Sequence, residues 1–377
     1  MIRLVCVSVL LTFVAPAPSF SQSPPADAAK VSFSGYLQPQ YETISRTGST
    51  SDRAFIRRMV LSIEAALPNE WTAAIQADLG PIASGGDGRL IVKDAQIRYT
   101  GWEERGVLVT IGNQKMPFSR SLLASSSRRG LIERPFTGDR SLGSPGRALG
   151  IRAEGWHHSR TIYWSSVVAS SRQSPDPDEI RIDGITEAEE GWNQGPLLAS
   201  RLEWHPRGEV PRAHGDFGGG GLRFAIAAGG YAWWNDHDVA THGPGTGDAA
   251  RVTGIEVSTG LRGAGLSVDV EFEHIDARAI DPFLSAGLYA EGRSRVDKAS
   301  IEAGYMLVPH RLEALAGFDA ADAGVFAEPV RRGSAGMNWY LSEHRVKVSV
   351  MHREAFNERG VAGARSHATY VQTQFSF

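Results

Sequence analysis

The chain has 377 residues, with 39 Lys and Arg against 42 Asp and Glu, a net charge of −3, 42 glycines and one cysteine. This balance argues against nucleic acid as a partner, because nucleic-acid-binding chains favour an excess of basic residues. The cysteine, Cys6, lies in the N-terminal apolar segment, so neither disulfides nor thiol chemistry are expected in the rest of the chain. No stretch after residue 21 approaches the roughly 20 apolar residues of a membrane helix.

The N-terminus predicts export. Arg3 is followed by an apolar run from Leu4 to Val14 and then by small residues and prolines, the pattern of a secretory signal peptide over residues 1–21. A membrane anchor is the weaker interpretation, because the apolar run is several residues too short. Residues 22–30 are predicted to be a short flexible lead-in. Removal of the signal takes away Arg3 and no acid, which changes the net charge from −3 to −4.

Residues 31–377 alternate between apolar and polar side chains, which predicts strands. The clearest case is 266–274, where Leu266, Val268, Val270 and Phe272 alternate with Ser267, Asp269, Glu271 and Glu273. About sixteen such segments of roughly ten residues can be found, the length that a tilted strand needs to cross hydrocarbon.

The connections alternate between tight and long. The tight ones are predicted at 67–71, 101–106, 155–160, 261–266, 308–312 and 341–345. The long ones are predicted near 42–52, 81–90, 115–147, 170–196, 235–250, 278–294, 320–330 and 356–366. One connection, 206–220, is long and Gly-rich where a tight turn is expected. Short turns at one end and long loops at the other predict an all-β fold: a transmembrane antiparallel β-barrel of about sixteen strands in the outer membrane of a Gram-negative bacterium.

A barrel of this size encloses an aqueous channel unless something fills it. The segment best suited to narrow it is 115–147, which follows the fifth strand and is therefore predicted to be the third extracellular loop, folded inward. Its basic residues are Lys115, Arg120, Arg128, Arg129, Arg134, Arg140 and Arg147, opposed by Glu133 and Asp139. Its apolar residues are Met116, Phe118, Leu122, Leu123, Leu131, Ile132 and Phe136.

Rings of Arg or Lys select anions, because fixed positive charge offsets the hydration that the ion loses. The predicted constriction and anion-binding residues are Lys115, Arg120, Arg128, Arg129, Arg134 and, on a strand, Arg58. The lumen acids predicted to oppose them are Asp78, Asp94, Asp269, Glu271 and Glu273. The alternative is that the arginines pair with such acids and only hold the loop in place. Arg57 adjoins Arg58, so it is predicted to face outward at the extracellular lipid interface.

Several runs resemble a known family, the phosphate-selective porins of the O and P type. They are FIRRMVLSIEAAL (55–67), NEWTAAIQADLG (69–80), VKDAQIRYTGW (92–102), TIGNQKMPFS (110–119), LIERPF (131–136) and DRSLGSPGRALGI (139–151). The resemblance implies a sixteen-stranded trimeric channel whose third loop forms an anion-binding constriction for phosphate or polyphosphate. It also implies arginines along the wall and lysines at the narrowest zone, whereas this loop contains one lysine, Lys115.

Nothing in the sequence predicts a metal, a cofactor or an enzyme. Asp236, His237 and Asp238 could hold a cation, as could the acidic runs 174–179 and 187–191, but solvated loops are the better interpretation. A serine-nucleophile motif, HExxH and GxxxxGK[ST] are all absent.

The predicted function is therefore passive, anion-favouring diffusion through an outer-membrane porin. The alternatives are a general or mixed-charge porin and a structural or adhesive barrel without a transport role. The predicted partners are small anions such as phosphate, outer-membrane lipid and lipopolysaccharide, two further copies in a homotrimer, and the barrel-assembly machinery through the strand that ends at Phe377.

Overall fold

The computed structural model describes residues 30–46, 48–84, 90–189, 191–237 and 245–377. The strands are β1 (Lys30–Arg46), β2 (Ser49–Leu67), β3 (Trp71–Asp78), β4 (Ile91–Tyr99), β5 (Val107–Lys115), β6 (Arg147–Trp156), β7 (Ile162–Gln173), β8 (Ile182–Asp183), β9 (Asn193–Trp204), β10 (Arg223–Trp234), β11 (Ala249–Gly263), β12 (Leu266–Ala279), β13 (Arg293–Val308), β14 (Leu312–Ala323), β15 (Val330–Ser342), β16 (Val346–Phe356) and β17 (Arg365–Ser376).

In the described ranges, helical structure is confined to single turns: α1 (Gly80–Ala83), α2 (Arg120–Leu123) and the 3-10 turns Glu103–Arg105, Ser126–Arg128, Phe136–Gly138 and Glu358–Gly360. Among the described residues, none of these helices is long and apolar enough to cross a bilayer.

The described strands form one closed antiparallel sheet. Seventeen strands belong to it, but β8 has two residues and lies in the connection from β7 to β9, so sixteen strands form the wall. The first strand, β1, pairs with both β2 and β17. This closure removes the unpaired edges that an open sheet would expose, and it confirms the predicted barrel.

The predicted faces of the strands are confirmed. On β12, Phe272 is 46% exposed while the next residue, Glu273, is 0% exposed. On β17, Phe375 points outward and is 53% exposed, whereas Gln374 is 1% exposed. The outward row is apolar because it faces hydrocarbon, and the inward row is polar because it faces the lumen.

One connection differs from the sequence prediction. The first hairpin was predicted to have a long loop at 42–52, which is wrong: β1 continues to Arg46 and β2 begins at Ser49. Polar side chains pair across this extension, with the hydroxyls of Ser45 and Thr50 2.9 Å apart. The connection 205–222, between β9 and β10, is long, as the sequence indicates, although it lies at the end of the barrel that carries the tight turns.

Closure of the barrel depends on a glycine. Gly35 of β1 exchanges two backbone hydrogen bonds of 3.1 Å with Phe377. A Cβ atom at Gly35 would lie 2.6 Å from the carbonyl oxygen of Val60 and 2.9 Å from the ring of Phe377.

We expect Gly35→Val to lower the unfolding temperature of the barrel in detergent, because overpacking of this kind costs about 1–3 kcal/mol. The measurement is the temperature at which the folded, fast-migrating form disappears on unheated gels. Gly333→Val on β15 is the matched control, since a Cβ there has nothing within 4 Å. An equal effect of both substitutions would contradict the role given to Gly35.

Candidate pore constriction and anion site

The connection from β5 to β6, residues 116–146, is here called loop 3, and it lies inside the barrel. Met116 and Phe118, at its beginning, are 0% exposed. The ring of Phe118 packs edge-on against Tyr231 of β10, with ring centroids 4.9 Å apart. Further along, Leu131 packs in a cluster with Leu315 of β14. Burial of these apolar side chains against the inner wall holds the loop across the lumen.

Carboxylates of β12 hold the start of loop 3 by its backbone. Glu271 accepts hydrogen bonds from the backbone N–H groups of Arg120 (2.6 Å) and Ser121 (3.0 Å), at the first turn of α2. The side chain of Ser119 accepts from the N–H of Leu122 at 3.1 Å. Because the N–H groups of a first helical turn have no partner within the helix, a carboxylate placed there is stabilised.

Asp269, two residues earlier on β12, binds the side chain of Arg120 at 2.6 Å. The same carboxylate also contacts Arg262 at 2.7 Å and His214 at 3.1 Å. Arg120 is 2% exposed, so its ion pair with Asp269 is a buried contact that joins loop 3 to β12. The sequence analysis predicted that Arg120 lines the pore. In the structure Arg120 instead pairs with an acid and holds loop 3 in place, which is the alternative given above.

Two more buried ion pairs hold the loop. Arg129, 3% exposed, contacts Glu302 of β13 at 3.1 Å. Glu273 contacts Lys298 of β13 at 2.5 Å and accepts a hydrogen bond of 2.7 Å from Ser144 of loop 3. Thus three of the predicted lumen acids hold loop 3 in place: Asp269, Glu271 and Glu273. Arg129 also holds the loop through its ion pair.

A basic cavity of about 710 Å³ lies beside loop 3. Its described lining contains eleven basic and five acidic side chains. The basic ones are Arg53, Arg57, Arg58, Lys93, Lys115, Arg134, Arg140, Arg147, Arg181, Arg332 and Arg353. The acidic ones are Asp78, Glu133, Asp139, Glu179 and Glu187. This surplus gives the passage a positive potential even though the whole chain is slightly acidic.

Four of these cations, here called the basic cluster, have no carboxylate within ion-pair distance in the described part of the chain: Arg58, Lys115, Arg134 and Arg353. They bind neutral oxygens instead. Arg58 donates to Gln38 at 3.1 Å, and Lys115 to the carbonyls of Leu122 and Leu123 at 3.0 and 3.2 Å. Arg134 donates to Ser126 at 3.2 Å, and Arg353 to Ser334 at 3.0 Å. No direct ion pair within the described chain therefore neutralises their charge, and Arg353 among them is 8% exposed.

Three of the predicted site residues, Arg58, Lys115 and Arg134, thus lie on one cavity. Arg128 does not: its side chain is exposed and lies outside the cavity lining. Of the predicted acids, Asp78 lines the cavity and contacts Lys93 at 2.7 Å. Asp94 contacts Arg147 at 2.9 Å. Both acids compensate cations of the wall rather than face the basic cluster.

The prediction that Arg57 faces lipid is wrong. The register between β1 and β2 shifts at Gln38 and Pro39, which leaves Arg57 without a partner residue on β1. This β-bulge turns Arg57 inward, because a bulged residue breaks the alternation of faces. Its guanidinium contacts Glu133 of loop 3 at 3.1 Å. Burial disfavours the charged form of Glu133, but Arg57, Arg58 and Arg353 nevertheless lower its pKa, so it is ionised at neutral pH and compensates Arg57.

Sequence reasoning missed Arg353 and Arg332. The signal for Arg353 was present, since it continues the inward row of Lys347, Ser349 and Met351 on β16. Arg332 of β15 lies over the ring of Phe136, 3.4 Å from its centroid. No sequence pattern identifies that contact, because it joins loop 3 to a strand almost 200 residues away.

The long connection 205–222 also folds inward and meets loop 3. His214 donates its backbone N–H to the carbonyl of Arg128 at 2.9 Å. The carbonyl of Pro211 accepts from Arg120 at 3.1 Å, and that of Ala213 accepts from Arg262 at 3.0 Å. The Gly-rich connection is therefore a second inward segment, which supports loop 3 from the end with the tight turns.

The described residues contain no group of three or more His, Cys, Asp or Glu that could hold a metal ion. Of the cation sites weighed in the sequence, Asp238 and Glu190 lie outside the described residues.

Comparison with known structures supports the fold of a porin. An anion-selective porin from Comamonas acidovorans has a TM-score of 0.61 at 10% identity, covering 93% of this chain and 100% of that chain. The outer membrane channel DcaP of Acinetobacter baumannii has a TM-score of 0.61 at 11% identity, with 94% and 99% covered. OmpT of Vibrio cholerae, in its trimer form, has a TM-score of 0.56 at 11% identity, with 93% and 100% covered. No curated protein sequence matches.

The closed sixteen-stranded barrel is the fold of outer-membrane porins. Residues 35–206 match the family described as phosphate-selective porin O and P, which confirms the resemblance seen in the sequence.

Asp269→Asn tests the pinning of loop 3. The substitution leaves Arg120 and Arg262 buried without a carboxylate, a loss of about 3–5 kcal/mol for a broken buried pair. We expect loop 3 to become a protease-sensitive segment and single-channel current to become noisy. Glu358→Gln is the control, because it breaks the exposed pair with Arg46, whose side chain is 56% exposed, and such pairs contribute about 0–1 kcal/mol. Equal protease resistance of both variants would contradict the pinning role.

Shortening 206–221 to a two-residue turn tests the second inward segment. We expect a larger single-channel conductance, because the support under loop 3 is removed. Gel mobility before heating verifies that the shortened barrel is folded. A folded variant with the conductance of the parent channel would show that this segment does not narrow the passage.

Proposed function

We propose that this channel passes small anions by passive diffusion and that the basic cluster, Arg58, Lys115, Arg134 and Arg353, sets its preference. The observation that carries the proposal is the lining of the basic cavity, with its surplus of cations and four of them without a carboxylate in the described chain. An anion that enters this space exchanges part of its hydration shell for fixed positive charge, whereas a cation meets repulsion.

The chemistry of the cluster favours oxyanions. Arg58, Arg134 and Arg353 carry planar guanidinium groups, which can bind carboxylate or phosphate through two parallel hydrogen bonds. Phosphate is therefore one member of the proposed class of solutes. Two comparisons also support a preference for anions. The matching family is described as phosphate-selective, and the Comamonas porin is described as anion-selective.

A general porin of mixed charge preference is the second candidate, and one observation favours it. The wall also carries compensated pairs, such as Lys93 with Asp78 and Arg147 with Asp94. Such pairs present both signs to the solute and contribute little selectivity. The distinction between the two candidates therefore depends on the basic cluster.

We further propose the arrangement that a porin of this kind needs. Residues 1–21, which lie outside the described residues, act as the export signal, and Phe377 ends the strand that the barrel-assembly machinery recognises. A homotrimer is proposed because a structural neighbour, OmpT, was solved in a trimer form. Outer-membrane lipid and lipopolysaccharide are the proposed surroundings of the apolar outer face.

Reversal potentials across a bilayer with a tenfold KCl gradient test the selectivity. We expect the parent channel to prefer chloride, and Arg58→Gln with Arg134→Gln to move the reversal potential toward the cation side, because two uncompensated charges leave the cavity. Arg58→Lys with Arg134→Lys should retain most of the preference, since charge is kept.

The matched control is Arg128→Gln, which removes an exposed arginine of loop 3 outside the cavity lining. It should leave the reversal potential unchanged. A double Gln variant that folds and keeps the parent's preference for chloride would overturn the proposed role of the cluster.

A further inference from the structure

A second cavity, of about 720 Å³, lies at the end of the barrel that carries the long loops. It is here called the vestibule. Loop 3 and the connections 280–292, 324–329 and 357–364 contribute to its lining. Four residues line both the vestibule and the basic cavity: Asp139, Ser141, Arg332 and Arg353. The two spaces therefore adjoin.

One wall of the vestibule is apolar. Phe136 and Val330 belong to a small packed cluster, and Leu142 and Phe326 pack against it. Leu288, which is 6% exposed, lines the same space. These side chains come from three separate connections and one strand, yet all border the vestibule. A hydrated inorganic ion gains nothing from such a wall, whereas a solute with its own apolar group does.

The two arginines at the boundary between the cavities, Arg332 and Arg353, differ in their partners. Arg332 contacts Asp319 at 2.6 Å and lies over the ring of Phe136, so its charge is compensated and its position is fixed. Arg353 donates instead to Ser334 at 3.0 Å and to the carbonyl of Glu133 at 3.1 Å, and it has no carboxylate in the described chain. Arg353 thus lies at the boundary between the apolar wall and the basic cavity, and it also contacts the carbonyl of Arg134 at 3.5 Å.

We infer that the preferred solutes are small organic anions with an aromatic or branched aliphatic group, of which aryl carboxylates are the simplest. This inference rests on the proposed function and names its substrate class. The carboxylate of such a solute binds Arg353 and then Arg134, while its ring lies against Leu142, Phe326 and Phe136. Guanidinium groups suit this chemistry, because they bind carboxylates through two hydrogen bonds and stack on flat apolar surfaces.

Block of the chloride current provides the test, with benzoate, acetate and inorganic phosphate as probes. We expect benzoate to halve the current at a concentration about tenfold lower than acetate, because burial of a ring adds to the binding of the carboxylate. Phosphate lacks an apolar group, so contact with the vestibule wall should not lower the concentration at which phosphate halves the current.

Leu142→Ser with Phe326→Ser should abolish the difference between benzoate and acetate while leaving the chloride reversal potential unchanged. Val361→Ser is the matched control, since Val361 is 58% exposed in a neighbouring connection and lies outside the vestibule lining. Arg353→Gln should weaken the block by all three anions. Gel mobility before heating shows which variants are folded.

The possible failures can be told apart. Equal block by benzoate and acetate in the parent channel, together with a loss of anion preference in the Arg58 and Arg134 variants, would overturn the substrate class and keep the proposed function. An unchanged preference in those arginine variants would overturn the proposed function itself. A benzoate advantage that survives the two Ser substitutions would also overturn the role of the vestibule wall.

Discussion

Three carboxylates on one strand constrain the interior of this barrel. Asp269, Glu271 and Glu273 occupy successive inward positions of β12 and are at most 9% exposed. Buried carboxylates are costly unless they are paired and hydrogen-bonded. Loop 3 supplies the side chain of Arg120, backbone N–H groups and a serine hydroxyl, and β13 supplies Lys298. Loop 3 therefore completes the compensation of these acids, which Arg262 and Lys298 of the wall begin, and the same contacts fix the position of the loop.

This pairing divides the lumen by charge. The side of loop 3 that faces β12 and β13 is filled and neutral, because each acid there meets a cation or an N–H group. The side that faces β2, β5 and β16 keeps the uncompensated Arg58, Lys115, Arg134 and Arg353. A chain with a net charge of −3 can thus enclose a positive passage. Net charge describes solubility and association, whereas selectivity depends on which charges remain unpaired along the path.

Much of the fold could be predicted from the sequence because lipid and lumen impose opposite demands on alternate residues. The faces of β12, β16 and β17 follow from that alternation alone. The role of each arginine could not be predicted. Arg120 and Asp269 are 149 residues apart, and only the fold decides that they meet while Arg134 finds no acid. The bulge at Arg57 reverses a face within an otherwise regular strand. The inward course of 205–222 depends on tertiary contacts with Arg128 and Arg262, which its glycines do not reveal.

The single lysine of the segment 115–147, Lys115 at the end of β5, has a physical meaning in this setting. A lysine is a strongly hydrated point charge, and a cluster of lysines suits a small hydrated ion that must only be attracted. This passage instead presents guanidinium groups beside apolar side chains, with Phe136 under Arg332 and the wall of Leu142 and Phe326 next to Arg353. Weakly hydrated planar cations next to apolar surface favour anions that are themselves partly apolar. The departure from a lysine-rich constriction and the apolar vestibule therefore point to the same class of solute.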